Sequence, residues 1–475
     1  MNSLPSRGGE IDDGHATGSR CRQIDGLAHS PIRHIPPEIL SQIFILCLPE
    51  NCLPRPHRLE APLLLCQICS LFMKVAHATP ALWAGISVER HVPRREDFLT
   101  LKTWVSRSST SPLSFCLTYR KKGTNVGRLV DFLAMHAFRW KDVTVVFASD
   151  LVTPTFVKAL SRGTPVLEKL TINSVWSILD RMKEQPLAVL EPLDISSAQR
   201  LTEINVGIDL RLEFGLSVLQ NVKQIIFEYP GPSFPPNYHL YCLDHCPVTE
   251  KLVINTHKFG VNENIGWSDL VRLRIIPTLH TLEVKATRWP TELFLNSLCL
   301  PGLRSLTLDL EWVDTFEPPR TWPEIPQLLK RSCADIENLS LRCNAMGESQ
   351  LIECFQQTPH LKHLAYSERY PKPIDMVARL LTFAEVNHFC QELEHITLTG
   401  RPSEMSSSLM AEMISSRWDD QQPDGHGTAS PGDRRYLKTV ATQEPYINNL
   451  RWNPVISRYI EQGFEIVRAY GFACL

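Results

Sequence analysis

The feature that most constrains this chain is a phrase that keeps returning. Pro165-Val-Leu167-Glu-Lys-Leu170-Thr-Ile172 has the form Pro-x-Leu-x-x-Leu-x-Ile. It recurs at Pro277 to Val284, Pro301 to Leu308 and Pro359 to Tyr366. Looser copies run from Leu201 to Val206, Val222 to Phe227, Pro247 to Ile254, Ile336 to Leu341 and Leu393 to Leu398. Their central apolar anchors are Leu170, Ile204, Ile225, Leu252, Leu282, Leu306, Leu339, Leu364 and Ile396, separated by 21 to 34 residues. The alternation inside each copy predicts a short strand. Segments at helical spacing lie between copies, such as Leu129 to Leu133, Phe156 to Leu160, Gln327 to Leu329 and Leu351 to Phe355. One strand–helix unit cannot bury its own apolar face, so units of this period must stack on one another.

The phrase resembles degenerate leucine-rich repeats. That resemblance implies an α/β solenoid with parallel strands on the concave side and helices outside, here expected over residues 89–448 and closed by a cap at 449–475. Leu113 to Tyr119 also alternates like a strand. Past residue 400, Ser406 to Arg417 predicts one more helix, Asp419 to Arg434 a loop, Tyr436 to Val440 a last strand, and Val455 to Tyr470 a near-helical segment broken at Gly463. Residues 1–30, rich in Gly, Ser, Asp and Arg, read as a disordered leader.

Ahead of the repeats, Ile35 to Trp83 has a different character, and residues 31–88 are expected to form a small all-α unit. Pro36 and Pro37 suit a helix start, since proline lacks the N–H that a first turn leaves unpaired. Glu38 then favours the positive end of the helix dipole. Ile39, Leu40, Ile43, Phe44, Ile45, Leu46, Cys47 and Leu48 cover far more than the roughly 100° stripe of a surface helix. A unit this short has little interior for them. The surplus either packs on the following domain or marks a partner site.

Ile35-Pro36-Pro37-Glu38-Ile39-Leu40, with Ile43 and Phe44, resembles the opening of the F-box, the helical motif that docks on a Skp-family adaptor of cullin-based ubiquitin ligases. Thr79-Pro80-Ala81-Leu82-Trp83 is similar to its closing phrase. Between them, Ile68-Cys69-Ser70-Leu71-Phe72 departs from the family's Val-Cys-Arg-x-Trp. The resemblance implies that Pro36, Pro37, Ile39, Leu40, Ile43, Phe44, Leu64 and Leu65 contact a Skp-family adaptor and, through it, a cullin. The repeats would then hold an unknown protein target for ubiquitination. The alternative is a non-degradative scaffold whose F-box-like unit packs on its own repeats.

The chain has 475 residues, with Lys plus Arg at 49 against Asp plus Glu at 51. That balance lacks the basic surplus of a nucleic-acid binder or an anionic-membrane binder, so neither partner is expected. No apolar stretch is long enough to span a bilayer. The fourteen scattered cysteines fit reduced thiols, which points to the cytoplasm, the nucleus or both.

Nucleotide-cradle and nucleophile-elbow motifs are absent, and no catalytic residue, metal or cofactor is expected. Cys66-Gln-Ile-Cys69 lies in an apolar run with no second pair. His239, Cys242, His245 and Cys246 have ligand types that suit zinc, but Cys246-Pro247 falls where other repeats lead into a strand, so repeat core is the expectation. For the target, residues flanking each anchor should form the open strand face. Trp176, Tyr229, Trp289 and Trp312 follow their strands and are the candidate aromatic anchors of one rim.

Overall fold

Each repeated phrase ends on an apolar anchor and a second apolar residue two positions on, and in an extended chain those two side chains leave on one face. The structure, a computed structural model, turns each phrase into a strand of one sheet. It describes residues 31–469 except 122–124, 148–152, 175–191, 209, 233–235, 259–271, 288, 312–320, 344–345, 368–373, 384–387, 401–405 and 419–436. The leader and the 419–434 loop expected from the sequence lie outside the described residues.

The protein is α/β, with a large parallel sheet and a layer of helices. Numbering all strands in chain order, the sheet contains β1 (Gly85–Arg90), β2 (Leu113–Tyr119), β3 (Trp140–Phe147), β4 (Lys169–Ser174), β6 (Glu203–Gly207), β8 (Gln224–Pro232), β9 (Lys251–Lys258), β11 (Thr281–Thr287), β13 (Ser305–Glu311), β14 (Asn338–Cys343), β15 (His363–Ser367), β16 (His395–Thr399), β17 (Thr439–Thr442) and β18 (Glu465–Arg468). These 14 strands lie side by side in chain order, and each neighbouring pair is parallel.

The register puts the anchors in a single row. Leu170 pairs with Ile204, Ile204 with Ile225, and the row continues through Leu252, Leu282, Leu306, Leu339 and Leu364 to Ile396. Ile86, Phe115 and Val143 extend it before Leu170, and Val440 and Ile466 after Ile396. The nine anchors expected from the sequence are each no more than 1% exposed. A second buried row, including Ile172, Val206, Phe227, Ile254, Val284, Leu308 and Leu341, runs beside it.

Against these rows lies the helix layer. It comprises α4 (Arg95–Arg107), α5 (Asn125–Ala134), α6 (Thr153–Ser161), α7 (Pro236–His245), α8 (Thr291–Asn296), α9 (Glu324–Ser332), α10 (Glu348–Gln356), α11 (Asp375–Leu381), α12 (Ser406–Arg417), α13 (Glu444–Arg451) and α14 (Pro454–Glu461). Consecutive helices touch from α4 to α6 and from α7 to α14. Two short parallel pairs, β5 (Leu193–Asp194) with β7 (Leu212–Glu213) and β10 (Arg274–Ile275) with β12 (Leu298–Cys299), lie alongside α6 and α9. No helix among the described residues is long and apolar enough to cross a membrane.

Three buried or half-buried arginines tie one unit to the one before. Arg139 donates to the Ser111 carbonyl from both Nε, at 2.9 Å, and an Nη, at 2.7 Å. Arg331 donates to Leu298 O at 2.9 Å and Leu295 O at 2.8 Å. Arg417, 2% exposed, donates to the carbonyls of Leu381, Phe389 and Cys390. Carbonyls at helix ends lack intrahelical donors, and a planar guanidinium can satisfy several at once.

At the beginnings of eight of the strands, the exposed ends carry a row of alternating charge. Lys141 pairs with Glu168 at 3.4 Å, Lys223 with Glu250 at 3.0 Å, Lys362 with Glu337 at 3.6 Å and Lys438 with Glu394 at 2.7 Å. The hydrogen bond from Lys438 holds the Glu394 carboxyl below its ordinary pKa. A lowered carboxylate pKa contributes stability that is full above the unfolded-state value and is lost as pH falls through the folded value.

Two expectations change here. Strand β1 starts at Gly85, inside the expected 31–88 helical unit, because Ile86 and Val88 complete the buried rows beside Phe115 and Leu117. The segment after Val455 is not one near-helical cap: α14 ends, Gly463 takes φ +104°, a turn that favours glycine, and β18 returns to the sheet.

Leu306→Ala should lower stability by about 2–5 kcal/mol because no neighbour can close the cavity, whereas Ser305→Ala on the opposite face should stay within about 0.5 kcal/mol; chemical denaturation of both variants checks this. Lys438→Met should return the Glu394 pKa toward the ordinary carboxylate value, read by NMR titration. An unmoved carboxyl resonance would contradict the assigned cause.

Candidate docking surfaces

At the N-terminal end the chain builds three helices, α1 (Pro37–Leu46), α2 (Leu65–Ile68) and α3 (Ser70–His77), then a 3-10 turn at Pro80–Trp83. Pro37 occupies the first turn of α1 and Glu38 follows it, as the sequence predicts. Helix α3 is capped by Cys69, whose Sγ accepts from Phe72 N at 3.5 Å. Both α1 and α2 pack on α3.

The inner faces of these helices are sealed. Leu40 and Phe44 are each 1% exposed, and the Phe44 and Phe72 rings sit 4.8 Å apart. Ser41 Oγ shares a 2.8 Å hydrogen bond with Thr79 Oγ1. Trp83 Nε1 donates to Ala76 O at 2.8 Å, and its ring meets Trp104 of α4 edge-on at 4.9 Å. Trp104 Nε1 in turn donates to Gly85 O at 3.1 Å, while the Arg107 guanidinium lies 4.3 Å from the Trp83 ring centre. Aromatic and cation–π contacts of this kind add to plain burial. The helices therefore cover the first strand end of the sheet.

The outer faces are open. Ile39, Ile43 and Leu46, at i, i+4 and i+7 on one side of α1, are 52%, 42% and 83% exposed. On the second helical segment Leu64 is 40% exposed and Ile68 55%. Pro36 and Pro37 are exposed as well. Of the eight expected adaptor contacts, Pro36, Pro37, Ile39, Ile43 and Leu64 thus lie outward. Leu40, Phe44 and Leu65 lie inward and support the helices from beneath; no partner can reach them while the unit is folded. Leu46 and Ile68, missed in the sequence, take their place on the surface.

On the sheet, the face opposite the anchors is polar and half-exposed. Its rows hold Lys169 and Glu203, paired at 2.6 Å, Lys251 and Glu283 at 3.1 Å, and Asp309 and Arg342 at 3.2 Å. His363 and His395 stack with ring centres 4.6 Å apart and planes 7° off parallel. Burial, and to a lesser degree the neighbouring His395, lowers the His363 pKa.

The aromatic rim does not form as expected. Trp289 is 2% exposed and packs against Phe294 at 5.2 Å and His239 at 5.4 Å. It belongs to the core, because the chain turns inward into α8 immediately after it. Trp176 and Trp312 lie outside the described residues, and for Tyr229 only the backbone, in β8, is described.

His239, Cys242, His245 and Cys246 sit on α7 and the residue after it, without converging. His239 is surrounded by Phe227, Tyr238, Trp289 and Phe294, whereas His245 stacks on Phe214 at 5.0 Å and bonds Ser217 O at 2.8 Å. Burial pushes the Cys246 thiol up to about 12 and raises that of Cys242 as well, so both keep their protons at neutral pH. Among the described residues no three His, Cys, Asp or Glu side chains converge as metal ligands do.

Comparison with protein-family models and with curated proteins finds no match to this chain.

The double variant Leu40→Ala/Phe44→Ala should unfold the N-terminal helices, with about 3 kcal/mol or more lost for Phe44 alone. Limited proteolysis should then cut within α1 and α3, which folding protects in the parent; continued resistance there would place these side chains outside the core.

Proposed function

We propose that the chain is the substrate-recognition subunit of a Skp/cullin/F-box ubiquitin ligase. On this reading the N-terminal helices are an F-box that docks on a Skp-family adaptor, and the repeats are a leucine-rich-repeat-like solenoid that holds a protein target. One observation carries it: the segment that resembles the F-box keeps Leu40 and Phe44 inside while it presents Ile39, Ile43, Leu46, Leu64 and Ile68 to solvent. A partner that covers what remains exposed of these five side chains gains apolar burial to set against the cost of association. The strictly sequential parallel strands support the solenoid reading.

The protein performs no covalent chemistry on this reading. It binds adaptor and target at once and so turns a bimolecular ubiquitin transfer into a nearly intramolecular one. The polar strand face, with its small and oppositely charged side chains, is the target surface, and it suits a protein ligand better than a polyanion. A non-degradative scaffold is the second reading, favoured by the Trp83–Trp104–Arg107 packing that fixes the helices to the sheet.

The full chain should co-purify with a co-expressed Skp-family adaptor. Ile39→Asp/Ile43→Asp should abolish capture and lower stability far less than the Leu40→Ala/Phe44→Ala change does, since Ile39 and Ile43 are half-exposed and outside the sealed inner face. Capture that survives this change, or that never occurs with the parent chain, would transfer the assignment to the scaffold.

A further inference from the structure

Strand β1 is the first of the sheet, so one of its sides faces no other strand among the described residues. Ser114 N donates to Ala84 O, which fixes the register and turns the even-numbered backbone groups of β1 toward β2. The odd-numbered groups point the other way. Ser87 N is satisfied by Pro54 O at 2.9 Å. Beyond that bond the Ser87 carbonyl and the Glu89 N–H and carbonyl have no hydrogen-bond partner among the described residues.

Ser87 and Glu89 line a cavity of about 410 Å³, with Val88 and Arg90 of the same strand and Arg55, Pro56, His57 and Glu60 of the preceding turn. Unpaired strand groups beside a slot of this size are the template for adding one more strand.

Charge selects which strand. Arg120 N bonds Arg90 O and Lys121 N bonds His91 O, so the ends of β1 and β2 lie together. Arg55 and Arg90 line the cavity with Glu60 and Glu89. Asp97 joins Arg90 to the Arg94 backbone, and Arg95 and Glu96 lie between Arg94 and Asp97 in the chain. These segments bring six cations, Arg55, Arg90, Arg94, Arg95, Arg120 and Lys121, against four carboxylates. Two of those carboxylates are already engaged, Glu60 by Arg55 and Asp97 by Arg90 at 3.4 Å. The side chains of Arg94, Arg95, Arg120 and Lys121 form no ion pair among the described residues and are exposed, Arg94 meeting Asp97 only through its backbone N–H at 2.8 Å. The same surplus repels a basic strand, including another copy of this edge, and gives a neutral strand no attraction.

We propose that the open edge of β1 binds an acidic peptide segment of another protein as an added strand, paired to Ser87 and Glu89 and held by the basic corner. This site is separate from the outer face of the helices and from the polar face of the sheet.

Fluorescence anisotropy of the full chain with a short fluorescein-labelled peptide of alternating valine and aspartate tests it. Saturable binding is expected, weakened by salt and by Arg120→Glu/Lys121→Glu. Methylating alternate backbone nitrogens of the peptide keeps its charge and removes its donors to the edge, and should weaken binding at least about tenfold. Glu89→Pro should do the same, with the thermal midpoint unchanged because the lost N–H has no partner in the free protein. Equal binding of the methylated peptide, equal binding of a valine–lysine peptide, or no binding of the acidic peptide would each overturn the proposal. The methylated peptide decides the matter with the parent protein even if the proline variant fails to fold.

Discussion

Everything in this protein depends on a lateral ladder of parallel backbone hydrogen bonds that holds one apolar side chain per strand in a single row. From Ile86 to Ile466 that row is continuous across the sheet. A strand moved by one residue would turn its anchor to water and a polar flank inward, so the register is locked by burial as well as by hydrogen bonding. The ladder also fixes the other face. Because side chains alternate, burying the anchors delivers Lys169, Glu203, Glu283 and Asp309 to one polar, half-exposed face without any further instruction.

The ends of such an array are its weak points, since each leaves backbone groups and apolar side chains uncovered. The two ends are treated differently. At the N-terminal side the helices cover the first unit through Trp83, Trp104 and Arg107, and one length of β1 stays open beside Arg55 and Arg90. At the C-terminal side the chain spends its last described residues on α14 and β18, so the covering element is another strand. The outer apolar side chains of α1 therefore belong to an element whose other side is structurally committed.

Much of the sheet could be read from the sequence because the signal is repeated. Leu170, Ile204 and their seven counterparts all proved to be buried anchors, and Ser406–Arg417 matched its expected helix. Strands β1 and β3 escaped because Gly85-Ile-Ser-Val and Trp140-Lys-Asp-Val lack the spaced leucine pair. The candidate site was less legible. Helix α1 is apolar on nearly every side, so periodicity could not tell that Leu40 and Phe44 turn inward while Ile39 and Ile43 turn out; only the position of Phe72 and Thr79 decides it. Trp289 misled for a related reason, since a tryptophan after a strand can as easily turn into the next helix as toward solvent.

The arginine clamps carry a consequence for how the array can change. Arg139, Arg331 and Arg417 each belong to one unit but satisfy carbonyls of the preceding one. Excising a unit across such a joint would leave bare carbonyls on one side and a guanidinium without acceptors on the other, a double defect in a buried place. The units on either side of a clamp are thus matched to each other. A joint that no arginine crosses is where a whole unit is added or removed at the least cost.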